Sequence, residues 1–214
     1  MSEELNEKIF TPFEIEKRSF EIIESEVPEP RPYQGDQWLV VRRMIHATAD
    51  FDLLNLVRFH PLAIDAGIKA LKSGCLVVTD TEMARSGITL ARMKRLGCKV
   101  ECYINHRDVI DAAKRQGITR SRAAVDFACR NNHNGIYVVG NAPTALLRLL
   151  ELMGQGQCRP ALIVGMPVGF VNVIESKERL MAQDICPYIT IEGRKGGSAL
   201  AACVVNQLAM LALG

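Results

Sequence analysis

Long apolar runs are missing from this chain, and so are most marks of specialised chemistry. No uninterrupted apolar stretch reaches the roughly 20 residues that a membrane span needs, so no membrane association is expected. Aromatic residues make up only 6% of the sequence. The basic residues are scattered, with no aromatic-plus-basic stripe, which argues against a nucleic-acid platform. Charge is nearly balanced, with 26 Lys and Arg against 24 Asp and Glu. There is thus no overall field to draw nucleic acid or an anionic surface. The first ten residues, MSEELNEKIF, are polar and acidic. A secretory signal needs a positive start and an apolar run, so the expected location is cytoplasmic.

Catalytic signatures are equally scarce. There is no G-x-S-x-G, no H-E-x-x-H, no G-x-G-x-x-G and no P-loop. The seven cysteines are odd in number and widely spaced, which argues against a disulfide framework. Cys98, Cys102 and His106 form the one local cluster, but their spacing fits neither a zinc site nor a ferredoxin-type cluster. Cys98 and Cys102 read as small buried hydrophobes in a strand-like run. No metal site is expected.

What the chain does have is core. With 214 residues, 48% of them hydrophobic, it suits one compact α/β domain. Residues 12–24 repeat apolar side chains at helical spacing. A proline-rich, charged stretch at 26–36, EVPEPRPYQGD, separates them from a second helix starting near Asp36. From residue 60 onward short apolar runs alternate with helical ones. Strands are expected at 75–80, 99–104, 135–140, 160–168 and 187–193. Helical stretches are expected between them at 61–74, 83–97, 121–132, 142–154 and 173–183, and an apolar helix, SALAACVVNQLAMLAL, closes the chain. Gly74, Gly97 and Gly154 fall where helices should end, and Pro143 where one should begin. Strands apolar on both faces belong in a parallel sheet covered by helices. The expectation is a three-layer α/β/α sandwich with a doubly wound, mainly parallel sheet of about five strands. Residues 1–35 would form an N-terminal helical arm and 36–214 the body.

Ligands in such folds bind beyond the carboxyl ends of the strands. That rule points at the loops TDTEM, VGNAPTA, GMPVGFVN and EGRKGGSA, which together suggest a broad polar-rimmed cleft. In GRKGGSA, Gly196 and Gly197 would let the backbone approach a ligand. Ser198 would cap the last helix, and Arg194 and Lys195 would add positive charge for an anion. Of the four histidines, His60 reads as a helix start, His106 as a helix cap and His133 as a solvated turn residue. His46, in VRRMIHATAD, differs. On a helix, Arg42 and Arg43 lie four and three residues before it, where nearby cations disfavour the imidazolium. A polyanionic ligand would neutralise them and restore the proton, which suits an acid and base near neutral pH. Taken alone, a histidine finishing an amphipathic helix is the better reading of the pattern.

Seven segments in order, KRSFEII, VRRMIHATAD, TDTEMARSGI, TRSRAA, VGNAPTALLRLLE, GMPVGFVNVIESKERL and GRKGGSALAA, resemble the precorrin-8X and cobalt-precorrin-8 methylmutases. The resemblance runs from about residue 12 to 214. It implies an isomerase of cobalamin biosynthesis that moves a methyl group from C11 to C12 of a corrin-forming macrocycle, formally a 1,5-sigmatropic shift, with no cofactor. It further implies that His46 protonates the ring and later recovers a proton. Ser19, Arg43 and Arg120 are implied as substrate contacts. The implied assembly is a homodimer whose site is completed at the interface, with hand-off of the tetrapyrrole to neighbouring corrin-pathway enzymes. The GRKGGSALAA ending looks closer to the cobalt branch. The rival readings are a non-catalytic tetrapyrrole carrier and an unrelated doubly wound enzyme using a nucleotide.

Overall fold

A computed structural model describes residues 10–131 and 134–214; His133 lies outside them. Helix α1 (Pro12–Glu26) opens with a reciprocal capping box between Thr11 and Glu14. The proline-rich stretch that follows is a strap tied at both ends. Arg31 pairs with Glu24 and Glu29 and lies over the Trp38 ring, and the Tyr33 hydroxyl donates to the Val57 carbonyl at 2.5 Å. Helix α2 (Gly35–Thr48) and the single turn α3 (Leu53–Leu56) lead into strand β1 (Val57–Phe59). Then come α4 (Ala63–Lys72), β2 (Leu76–Thr79), α5 (Glu82–Gly87), α6 (Leu90–Arg95), β3 (Lys99–Cys102), α7 (Arg107–Gln116) and α8 (Arg120–Asn131). The chain ends with β4 (Ile136–Val139), α9 (Pro143–Gly154), β5 (Leu162–Gly165), α10 (Val173–Met181), β6 (Tyr188–Ile191) and α11 (Ser198–Leu213).

The described strands form one sheet in the order β1-β6-β5-β4-β2-β3, parallel except for β1, which runs antiparallel along β6. Alternate side chains of each central strand enter different cores. Val77, Ile136, Val138, Leu162 and Val164 pack with α2, α4 and α11, whereas Val78, Tyr137, Val139 and Ile163 pack with α8 and α9. Strands whose every residue is buried are the consequence of helices on both faces. The expected three-layer, doubly wound sandwich is therefore the observed one.

Three elements differ from the sequence expectation. The sheet has a sixth strand, β1, whose three residues are too few to show a period. Helix α7 is polar in sequence and buries only Val109 and Ala113, so its apolar stripe is thin. The helix expected over 83–97 is two. The chain turns extended at Ile88 and Thr89, and Asn206 of α11 takes up the freed backbone groups. Its amide donates to the Gly87 carbonyl at 2.8 Å and its oxygen accepts the Thr89 N–H at 2.8 Å. A polar residue in an apolar helix thus satisfies a break in another.

Candidate active site

The winding of the sheet reverses between β2 and β4, where open α/β folds leave a ligand crevice. Here the protein fills it. Asp80, buried at the end of β2, accepts the N–H groups of Gly140, Asn141 and Ala142 at 2.8, 2.9 and 2.8 Å. Burial pushes its carboxyl up against the pull of those three amides. Next to it the Thr81 and Ser198 hydroxyls meet at 2.8 Å. A Cβ on Gly140 would sit 2.6 Å from Ser198 Cα, so only glycine lets the β4 loop and α11 approach.

The GRKGGSA loop is likewise occupied by its own neighbours. A Cβ on Gly196 would lie 2.7 Å from the Pro167 carbonyl, so the close approach is to the chain and not to a ligand. Gly197 holds the cap position of α11; Ser198, expected there, is the first helical residue and turns to Thr81. Lys177, fully buried in α10, donates to the carbonyls of Gly193 and Lys195 at 3.0 and 2.5 Å, and burial holds its ammonium down to about 8. The Lys195 ammonium reaches the carboxylates of Asp50 and Asp52 at 2.7 and 2.6 Å, tying this loop to the end of α2. In place of a broad cleft with free polar groups, these loops form an interlocked rim. Arg194, over the exposed Phe170 ring at 5.5 Å, remains on its surface.

A second locus forms where α1, α2 and α11 meet. His46 sits on the last turn of α2, half-buried, its ring centroid 5.1 Å from that of Phe20 in α1. The guanidinium groups of Arg42 and Arg43 lie 4.3 and 4.7 Å from the same ring. Each is also matched by a carboxylate of α1. Arg42 donates to Glu24 at 2.7 Å, and Arg43 pairs with Glu16 while its Nε donates to the Gln207 side chain at 3.3 Å. The arginines expected to bear unbalanced charge on His46 therefore already carry counter-ions. Glu16 is held below the usual carboxylate range first by the Arg43 hydrogen bond, with smaller contributions from Arg43, His46 and Arg92 charge. Phe13, Lys17, Phe20, Leu39, Arg43 and Met210 are among the residues lining an open groove of about 490 Å³ here.

The fold thus brings two of the four expected site residues, His46 and Arg43, onto the Phe20 ring. Ser19 precedes Phe20 in α1, and its hydroxyl donates back to the Ile15 carbonyl at 2.8 Å. Arg120 stands apart. It is exposed at the start of α8, in the opposite helical layer, with Nη1 3.4 Å from the Asn105 side-chain oxygen. Glu16, Phe20, Glu24 and Gln207 are the neighbours that sequence reasoning missed. The spacing 16, 20, 24 did carry a signal, because residues four apart share one helical face. His106 caps α7 as expected, accepting the Asp108 N–H at 3.3 Å, and it stacks on Phe127. Among the described residues no group of three His, Cys, Asp or Glu side chains could hold a metal ion, and the seven cysteines form no disulfide.

A family profile described as Precorrin-8X methylmutase matches residues 14–211. The chain belongs to the precorrin-8X methylmutase family. A cobalt-precorrin-8 methylmutase of Leptospira interrogans is 47% identical over 204 residues, covering 92% of each chain. That of Salmonella typhimurium is 44% identical, covering 92% of this chain and 94% of the relative. The crystal structure of a precorrin-8X methylmutase from Thermus thermophilus superposes with a TM-score of 0.86 at 44% identity, over 92% of this chain and 95% of that one. This methylmutase is accordingly an isomerase of cobalamin biosynthesis, and its α/β sandwich is the fold of its relatives.

Proposed function

We propose that this methylmutase moves the methyl group of cobalt-precorrin-8 from C11 to C12, with His46 as proton donor and acceptor. The observation that carries the reading is the α1–α2–α11 corner. Phe20 both lines the open groove and touches His46, and Arg43 lies on the same ring. A flat apolar ring fringed with carboxylates needs such a combination of apolar wall, guanidinium and acid. The bond from C11 to the methyl carbon breaks and that from C12 forms, so atoms and electrons balance within the substrate. His46 lends a proton to the macrocycle, which biases its electron distribution toward migration, and takes one back from the product. Rigid binding fixes the migrating face. Ser19 and Arg43 position the ring near His46. Arg120 meets a carboxylate of the ring edge away from the acid.

The working form is a homodimer in the cytoplasm, in which the partner completes the site and the product passes to the next corrin-pathway enzyme. The exposed apolar side chains Phe13, Ile15 and Ile22 of α1 and Leu90 of α6 support a partner surface. The cobalt-bearing substrate is favoured because curated relatives above 40% identity that span over nine-tenths of this chain bear the cobalt-precorrin name. Incubation with precorrin-8 and with its cobalt complex, followed by visible absorption, tests the function. Conversion of the spectrum to that of the rearranged corrin supports it. Stoichiometric binding with no spectral change would establish the carrier reading instead.

A further inference from the structure

We propose that Glu16 is a displaceable counter-ion, holding the Arg43 guanidinium while the site is empty and giving way to a substrate carboxylate on binding. The proposal rests on the reading of Arg43 as a substrate contact. Arg43 has four partners: its Nε donates to Gln207, its face lies on Phe20, Nη2 lies 3.9 Å from Met210 Sδ, and Nη1 meets Glu16. The first three are parts of the packed protein; Gln207 itself is buried. Glu16 is the outer partner, with 44% of its side chain exposed against 20% for Arg43. It also lines the groove.

The neighbouring pair shows what a fixed brace looks like. Glu24 accepts from Trp38 Nε1 at 2.9 Å and from Arg42 at 2.7 Å, and it pairs with Arg31 as well. Releasing Glu24 would strand three donors. Releasing Glu16 frees one guanidinium donor, Nη1, on an arginine that lines the groove. Exchange of one carboxylate for another keeps Arg43 compensated throughout, so no uncompensated charge is left at a half-buried site. A cost follows: substrate affinity is the difference between two carboxylates competing for one guanidinium. Removing the internal competitor should then tighten binding.

The test is a titration of the wild type and variants with hydrogenobyrinic acid, followed by visible absorption at fixed pH and salt, with melting curves to verify folding. Glu16→Gln, a change at a half-exposed position, is expected to lower Kd roughly fivefold, about what an ion pair of this exposure is worth. Glu16→Ala should move Kd the same way. Arg43→Ala should raise Kd, and adding Glu16→Gln to it should change nothing further. If Arg43→Ala weakens binding while Glu16→Gln leaves it equal or weaker, Glu16 is a structural brace and the proposal is overturned. If Arg43→Ala leaves Kd unchanged, the reading of Arg43 as a substrate contact falls first, and this outcome is distinct from the other.

Discussion

The crevice at the winding reversal and the α1–α2–α11 corner are both rich in polar groups, yet they spend them differently. At the crevice and the GRKGGSA loop every donor and acceptor described above is consumed inside the protein: Asp80 by three amides, Thr81 by Ser198, Lys177 by two carbonyls. At the corner, charges lie half-exposed in pairs along an open groove, with a ring stacked beneath them. Buried polar groups must be satisfied or they cost several kcal/mol, so a fully interlocked set is a structural device. Groups that can change partners at small cost are the ones able to meet a ligand. The two regions are also joined, since Lys195 on the rim grips Asp50 and Asp52 just beyond the helix of His46.

Substitutions can break this contrast. The largest effect on stability is expected at Asp80. Asp80→Ala strands three amides at the crevice and should cost roughly 3–5 kcal/mol in a denaturant titration; a loss below about 1 kcal/mol would show that the crevice is not interlocked. Lys177 sharpens the contrast through pH. Its folded value, about 8, lies below the ordinary 10.5. Between those values the unfolded chain binds the proton more tightly, so stability rises with pH there, and the burial cost is fully present below pH 8. Relative to Lys177→Met, the wild type should gain about 3 kcal/mol between pH 8 and 10.5. A flat difference would mean that the ammonium is not desolvated as its burial implies. The smallest effect is expected at Ser19, whose hydroxyl bonds only back along its own helix. Ser19→Ala should move stability by less than about 0.5 kcal/mol, so any larger fall in substrate affinity reads a contact to the macrocycle.

Much of the sandwich was legible because the central parallel strands are buried on both faces and therefore mainly apolar. All five parallel strands, the edge strand β3 with its exposed Lys99 included, lie within their expected segments, and Pro143 opens α9 as expected. What escaped had little apolar signal of its own. β1 has three residues, and α7 hides two buried side chains among charges. The break between α5 and α6 is decided by Asn206, more than a hundred residues away. At the candidate site the order of motifs marked His46, Ser19 and Arg43, but not the state of their charges. In sequence Glu16 and Glu24 are two of several acids on α1. Only the crossing of α1 on α2 brings them onto Arg42 and Arg43. The strand-end rule pointed at the right loops for folding and overstated their openness, because it cannot tell that Asp80 occupies the crevice.

The central claim is that His46 moves a proton at this corner. His46→Ala, assayed side by side for turnover of cobalt-precorrin-8 and for affinity toward the product, tests it most directly. The account predicts turnover lost by at least about 100-fold, the low end of what a positioned acid and base contributes. Product affinity should stay within about threefold of wild type, because the apolar wall and Arg43 remain. Turnover close to wild type in a folded His46→Ala protein would contradict it.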